Sequence, residues 1–414
     1  MKKLVNTNGV KPEPQSLSGG ESESSEVKSS ILGRRSFLKG LGATGAMLLP
    51  ASALLATKAK AMGGDDFGGK LSKGDASILR FLAAAEIIES DLWEQYWELG
   101  GVSFGEGVET PLGETAPSFK GGNPLYTSAL TILDGDMPQY ITDNTDDEFS
   151  HQAFIRAYLA SKGASTADID LLSGEHFRGL DGSTAQGSSK KKRLTNLLEL
   201  TVDTSFWSRY RDDAHNPDLN PQFLFKQAVT GLNVGRHRAI PKDDTDTMGS
   251  SITNPPQNGI TPHLQVIAFT AGFHFSFIEQ GGTSLYPSLA QRVSDPEVLR
   301  IVLSIGPTEA MHFQTWQDKA GNALPVSSDG VMFADLTSST DQLLKSNLIM
   351  PEPCPFLSRA FPNCSIVRPT ATAGAAMGAV KALSMDGLFI GQTKKFMELL
   401  ADLATDADQA QREF

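Results

Sequence analysis

Apolar residues trace four long helices with polar excursions between them. From Ser77 to Leu99 they fall at Ile78, Leu79, Phe81, Leu82, Ile87, Ile88, Leu92, Trp93, Tyr96 and Trp97. That spacing predicts a helix with Asp75 as its N-cap. It is apolar on most faces, as an element buried inside a bundle must be. A Gly-, Pro- and Ser-rich loop follows over 100–124. Leu125–Leu133 starts a helix that Gly135 and Pro138 break, and a second long helix is expected over 145–161, ended by Gly163. The third, from Pro262 to Glu279 or a little beyond, is nearly all apolar, with a kink expected at Gly281-Gly282. The fourth spans 296–320, with room for a bend at Gly306-Pro307.

Between the second and third helices lies an excursion over 163–260. It contains an amphipathic stretch, 194–210, that predicts a further helix, and a Asp/Thr/Pro/Gly-rich loop over 236–258. Residues 321–414 form an extension beyond the fourth helix. They include an Ala/Gly-rich stretch near 371–382 and an amphipathic helix over 394–410. The fold class is therefore mainly α: a four-helix bundle over 75–320, with a long insertion and a C-terminal extension packed on it.

Acidic residues intrude where the pattern calls for apolar ones. Glu86 and Glu89 interrupt the first helix, and Glu279 is the only acidic residue of the third. Burying an ionised carboxylate costs several kcal/mol unless it is paired or bound to a metal. Of the first pair, Glu86 is the inward candidate and Glu89 the alternative. The second and fourth helices each carry Glu-x-x-His, as Glu148/His151 and Glu309/His312. Residues three apart share a helix face, so each pair can reach one ion. Any one of these residues alone is more often a solvated or salt-bridged group. The ordered set of Glu, Glu-x-x-His, Glu, Glu-x-x-His is the signal. Asp212 and His215 copy the spacing, but Asn216-Pro217 ends any helix there. His176, His237, His263 and His274 have no such company and receive no role. Trp93, Tyr96 and Trp316 read as core.

The first 61 residues read as separate from the fold. Gly33-Arg34-Arg35-Ser36-Phe37-Leu38-Lys39 has the twin-arginine pattern, a short apolar run follows, and Ala59-Lys60-Ala61 offers a cleavage site. Four interruptions, Gly40, Gly42, Gly45 and Pro50, set the run apart from a spanning helix. The expectation is export through the twin-arginine translocase to the periplasm or the exterior, with a mature start near Met62 and no stable membrane span. With the nine Lys/Arg and four Glu of residues 1–61 removed, the net charge falls from −12 to −17. Such a surface repels nucleic acid and anionic lipid. The one basic run, Lys190–Arg193, lacks interleaved aromatics and reads as a solvated helix start. Cys354 and Cys364, in a Pro-rich segment, are positioned to bond in an oxidising compartment. No P-loop, dinucleotide fingerprint or nucleophile elbow occurs.

Glu86, Glu148-x-x-His151, Glu279 followed by Thr283 and Tyr286, and Glu309-Ala310-Met311-His312 together resemble the ferritin-like superfamily, and within it the exported branch that includes desiccation-related proteins. The resemblance covers about 75–160 and 262–320. It implies a dinuclear site in which Glu148 and Glu309 bridge two ions, Glu86 and Glu279 are terminal carboxylates, and His151 and His312 terminal imidazoles. Such a ligand set suits iron or manganese, and two ions about 3.5–4 Å apart can share a small oxygen species. Two functions follow: a di-iron or di-manganese oxidoreductase acting on peroxide, oxygen or Fe(II), or a non-catalytic stress protein of the envelope that uses the bundle structurally. The insertion and extension depart from a compact ferritin and argue against a hollow cage.

Overall fold

The computed structural model describes residues 70–104, 119–209, 225–252, 259–346, 353–356, 358–366 and 373–413. The expected export signal, its cleavage site and the Asp212–His215 pair lie outside the described residues.

The chain is mainly helical. Helix α1 (Lys73–Gly100) is capped by Ser72, whose side chain accepts a hydrogen bond from the Asp75 amide. Asp75 is thus a first-turn residue and not the cap. Its buried carboxylate instead accepts from the amides of Ser294 and Asp295, tying the start of α1 to a distant turn. After α2 (Pro124–Leu130) comes α3 (Met137–Ser161), which starts eight residues before the expected Thr145. Pro138 sits in its first turn, where a missing N–H costs nothing, so the proline opens the helix and does not break one. A short α4 (Ala167–Ser173) follows.

Helix α6 (Pro262–Ala290) runs unbroken through Gly281-Gly282 and Pro287, eleven residues beyond Glu279. Thr261 caps it. Helix α7 (Pro296–Ala320), capped by Asp295, has the bounds the sequence predicts. Helix α1 packs along α3 and α6 along α7. Their shared interior holds Trp93, Tyr96, Phe275 and Trp316, all buried, with Trp93 stacked on Trp316 at 5.3 Å.

The excursion is mostly irregular. It holds a two-stranded ladder, β1 (Leu180–Asp181) against β2 (Lys192–Arg193), and a single turn, α5 (Phe206–Arg209). The helix expected over 194–210 does not form, although its apolar residues Leu194, Leu197, Leu200, Val202 and Trp207 are buried. Its backbone is engaged elsewhere. Asp91 accepts from the Leu194 and Thr195 amides, the Leu200 amide donates to His237, and the Thr201 amide donates to Asp386. Helical pairing would leave those distant groups unmatched. The Lys190–Arg193 run is likewise no helix start. Arg193 is 2% exposed and bonds Glu94 and Glu98 of α1.

Two small hairpins follow α7: β3 (Val326–Ser328) with β4 (Val331–Phe333), and β5 (Pro353–Cys354) with β6 (Cys364–Ser365). Cys354 stands opposite Cys364 in the second ladder. The Cys354 side chain, and with it the expected disulfide, lies outside the described residues. Helices α8 (Ala375–Asp386) and α9 (Lys394–Asp408) complete the extension. Helix α9 packs on α1, and α8 on α6 and α9. Among the described residues no helix is long and apolar enough to cross a membrane.

Candidate metal site

Each long helix delivers a carboxylate to one interior point. Glu86 (α1), Glu148 (α3), Glu279 (α6) and Glu309 (α7) are fully buried. His151 and His312, one turn beyond their partner glutamates, close the cluster from its edge. The six residues expected from the sequence thus meet. They form two groups, Glu86–Glu148–His151–Glu309 and Glu148–Glu279–Glu309–His312, each with ligand atoms within 4.8 Å of one another. Glu148 and Glu309 belong to both. Glu89, the alternative on α1, belongs to neither; it faces an adjoining cavity.

The imidazoles are aimed by their outer nitrogens. His312 Nε2 lies 3.1 Å from Asp147 Oδ2, and His151 Nε2 lies 3.2 Å from Thr308 Oγ1. An Nε2–H donated to Asp147 leaves the His312 Nδ1 lone pair facing inward, 3.3 Å from both Glu148 and Glu279. His151 Nδ1 faces Glu148 at 3.2 Å and Glu86 at 3.3 Å. Around the carboxylates, Asn144 donates to Glu148 (2.8 Å) and Glu279 (3.0 Å), and Trp316 donates to Asn144 (2.7 Å). Tyr286 donates to Glu86.

Even so, Glu86 Oε2, Glu279 Oε2, both oxygens of Glu309 and His312 Nδ1 are buried without a hydrogen-bond partner among the described residues. Native interiors rarely leave polar atoms unmatched. Inward-facing oxygens and a nitrogen lone pair are what cations satisfy, so the donor set fits metal ions.

Without cations, protons must hold this charge. Burial, aided by Glu148, pushes Glu86 up to about 7 against the pull of His151. Burial and neighbouring carboxylates raise Glu309 well above the ordinary range, and Glu279 is raised too. Burial opposes ionisation of His151, but Glu86 and Glu148 push it up to about 11. Glu148 is lowered despite burial, because the imidazoles of His151 and His312 stand against it and favour its charge. Between the ordinary Glu value of 4.5 and about 7, the folded metal-free cluster therefore binds more protons than the unfolded chain. Its stability is expected to fall as pH rises through that window, by on the order of 3 kcal/mol if the Glu86 shift acts in full. Glu148 works the other way only below its ordinary value. Urea midpoints in chelator at about pH 5 and about pH 7 measure this; a higher midpoint at about pH 7 would contradict it.

A family model described as the ferritin-like domain matches residues 74–322. The chain belongs to the ferritin-like family. No curated protein and no solved structure matches it. The ferritin-like match spans the bundle helices and the excursion, and stops before α8 and α9.

Several groups here carried little sequence signal. Asn144 lies one turn before Glu148 and Asp147 beside it, both reading as ordinary polar helix residues. His274, given no role above, is fully buried and bridges Tyr96 (2.7 Å) to Asp386 (3.0 Å). Its trace in the sequence is an imidazole within an otherwise apolar helix.

Proposed function

We propose that this ferritin-like protein holds two iron or manganese ions in the cluster and is an exported oxidoreductase acting on peroxide, dioxygen or Fe(II). One observation carries the reading: two four-residue groups that share Glu148 and Glu309. Glu148 and Glu309 would bridge the ions, Glu86 and Glu279 would each serve one, and His151 and His312 would each complete one side. The bound ions would supply the one-electron steps that side chains of this type cannot.

The protein's own part is positional. Asn144 fixes one oxygen of Glu148 and one of Glu279, leaving their other oxygens for the ions. Tyr286 holds Glu86 Oε1 by donating its hydroxyl to it. Asp147 and Thr308 keep the imidazoles turned inward. Apolar packing by Trp93, Phe275 and Trp316 excludes water from one side. The twin-arginine pattern supports export, since that route accommodates a protein already folded around its metal.

The test is metal analysis of protein purified from its native compartment, with peroxide and oxygen consumption assayed on the same sample. About two ions of iron or manganese per chain, with turnover, is the expected result. A folded chain that takes up no metal would sink the reading and favour a structural role.

A further inference from the structure

A cavity of about 210 Å³ lies against the cluster, between α1, α6 and α8. Small residues open it: Ala84 and Ala85 of α1, Gly281 and Gly282 of α6, Gly378 and Ala379 of α8. Larger apolar groups, among them Phe81, Phe277, Leu285 and Phe389, form the rest of its wall. Protein interiors are close-packed, and an apolar void forfeits dispersion contacts along its lining. Small residues converging on one space from three helices therefore call for an occupant.

Two features say what it is. One glycine separates the cavity from the cluster: a Cβ at Gly282 would stand 2.7 Å from Glu309 Oε2. The Glu89 carboxyl also lines the space, with no hydrogen-bond partner among the described residues. The lining is thus mostly apolar; its polar members are Glu89, Gln280, Asp203 and Arg209, and the Arg209 charge acts on Asp203, which leaves Glu89, one turn beyond Glu86, as the carboxyl without a partner. The outer wall is distinctive too. Helix α8, Phe389 and Leu400 belong to the extension beyond residue 322, and Phe206 to the excursion.

We propose that this cavity binds a neutral, largely aliphatic molecule bearing a hydroxyl group, with the hydroxyl on Glu89 and the chain along α8. Glu89 can donate to or accept from a hydroxyl, whereas an anionic head placed there would meet the carboxylates of the cluster, and the Arg209 guanidinium in the lining is engaged by Asp203. An apolar pocket with few placed polar groups is the ordinary form of a small-molecule site. The excursion and extension then exist to build a substrate wall on a bundle that lacks one. This deepens the reading of the cluster as a redox centre by naming a substrate class, but the binding itself needs no metal.

The experiment is calorimetric titration of the full mature chain, metal-free and metal-loaded, with 1-octanol and with octanoate as probes. Saturable 1-octanol binding in both forms is expected, with octanoate at least tenfold weaker. Gly281 lines the cavity at an exposed position, and a Cβ there meets nothing within 4 Å, so Gly281→Phe introduces a bulky group beside the space without a clash. It should weaken 1-octanol binding at least tenfold while circular dichroism and metal uptake stay unchanged. Glu89→Leu should weaken it several-fold and narrow the margin over an alkane of equal length. Should Gly281→Phe also lose metal, Ala379→Phe on α8 decides: it must abolish 1-octanol binding with metal uptake intact. Absence of saturable 1-octanol binding, or native affinity in the folded filling variants, overturns the proposal. Metal uptake without alcohol binding would leave the redox reading standing and remove this one.

Discussion

Glu309→Ala is expected to take metal content from about two ions per chain to near none, whereas Glu279→Ala or Glu86→Ala should each leave about one. The difference follows from membership. Glu309 stands in both four-residue groups, Glu279 and Glu86 in one each. Losing Glu309 leaves either ion without the carboxylate shared with its neighbour. A second readout separates this from misfolding. Both Glu309 oxygens are buried without a hydrogen-bond partner among the described residues. Removing that carboxyl from metal-free protein relieves an uncompensated burial, so metal-free Glu309→Ala should be at least as stable as the metal-free parent. Elemental analysis and urea denaturation in chelator measure the two effects. Equal metal loss in all three variants would mean that the ions are not shared in this way.

Arg193→Ala is expected to cost about 3–5 kcal/mol, the largest single-residue loss outside the core. Arg193 bonds Glu94 at 3.1 Å and also Glu98, each glutamate less than a tenth exposed. Its charge keeps Glu94 below the ordinary carboxylate range in spite of burial. Truncation strands two carboxylates on α1, with Lys191 left to reach Glu94 from a half-exposed position. Arg193→Ala should therefore lower the denaturation midpoint far more than Lys192→Ala. The Lys192 pair with Asp181 is solvent-exposed, and such pairs contribute little. Comparable effects of the two substitutions would refute the account.

The bundle was legible because its helices are long and their apolar faces broad. The bounds of α7 follow from Asp295 and Pro296 at one end and Gly321 at the other. Glu86, Glu279 and the two Glu-x-x-His pairs stood out because charge in an apolar helix needs a physical reason. The excursion was not legible, and Arg193 shows why. Its neighbours are basic and exposed, and only the fold brings Glu94 and Glu98 opposite it. The amphipathic stretch 194–210 erred in the same way. Its apolar spacing reports burial, but Asp91 and Asp386 dictate its backbone pairing. Asn144 and Asp147 escaped notice because their work depends on which way neighbouring helices face.

The clasp formed by Asp408 and Arg412 bears on how the molecule is made. Asp408 accepts from the amides of Ala376 and Met377 and, through its carbonyl, from Arg292 beside the α6–α7 turn, while Arg412 reaches the carbonyl of Val293. Asp408 and Arg412 leave the ribosome after every helix of the bundle. A nascent chain can therefore gather its carboxylates and imidazoles before the clasp and the outer wall beside them exist.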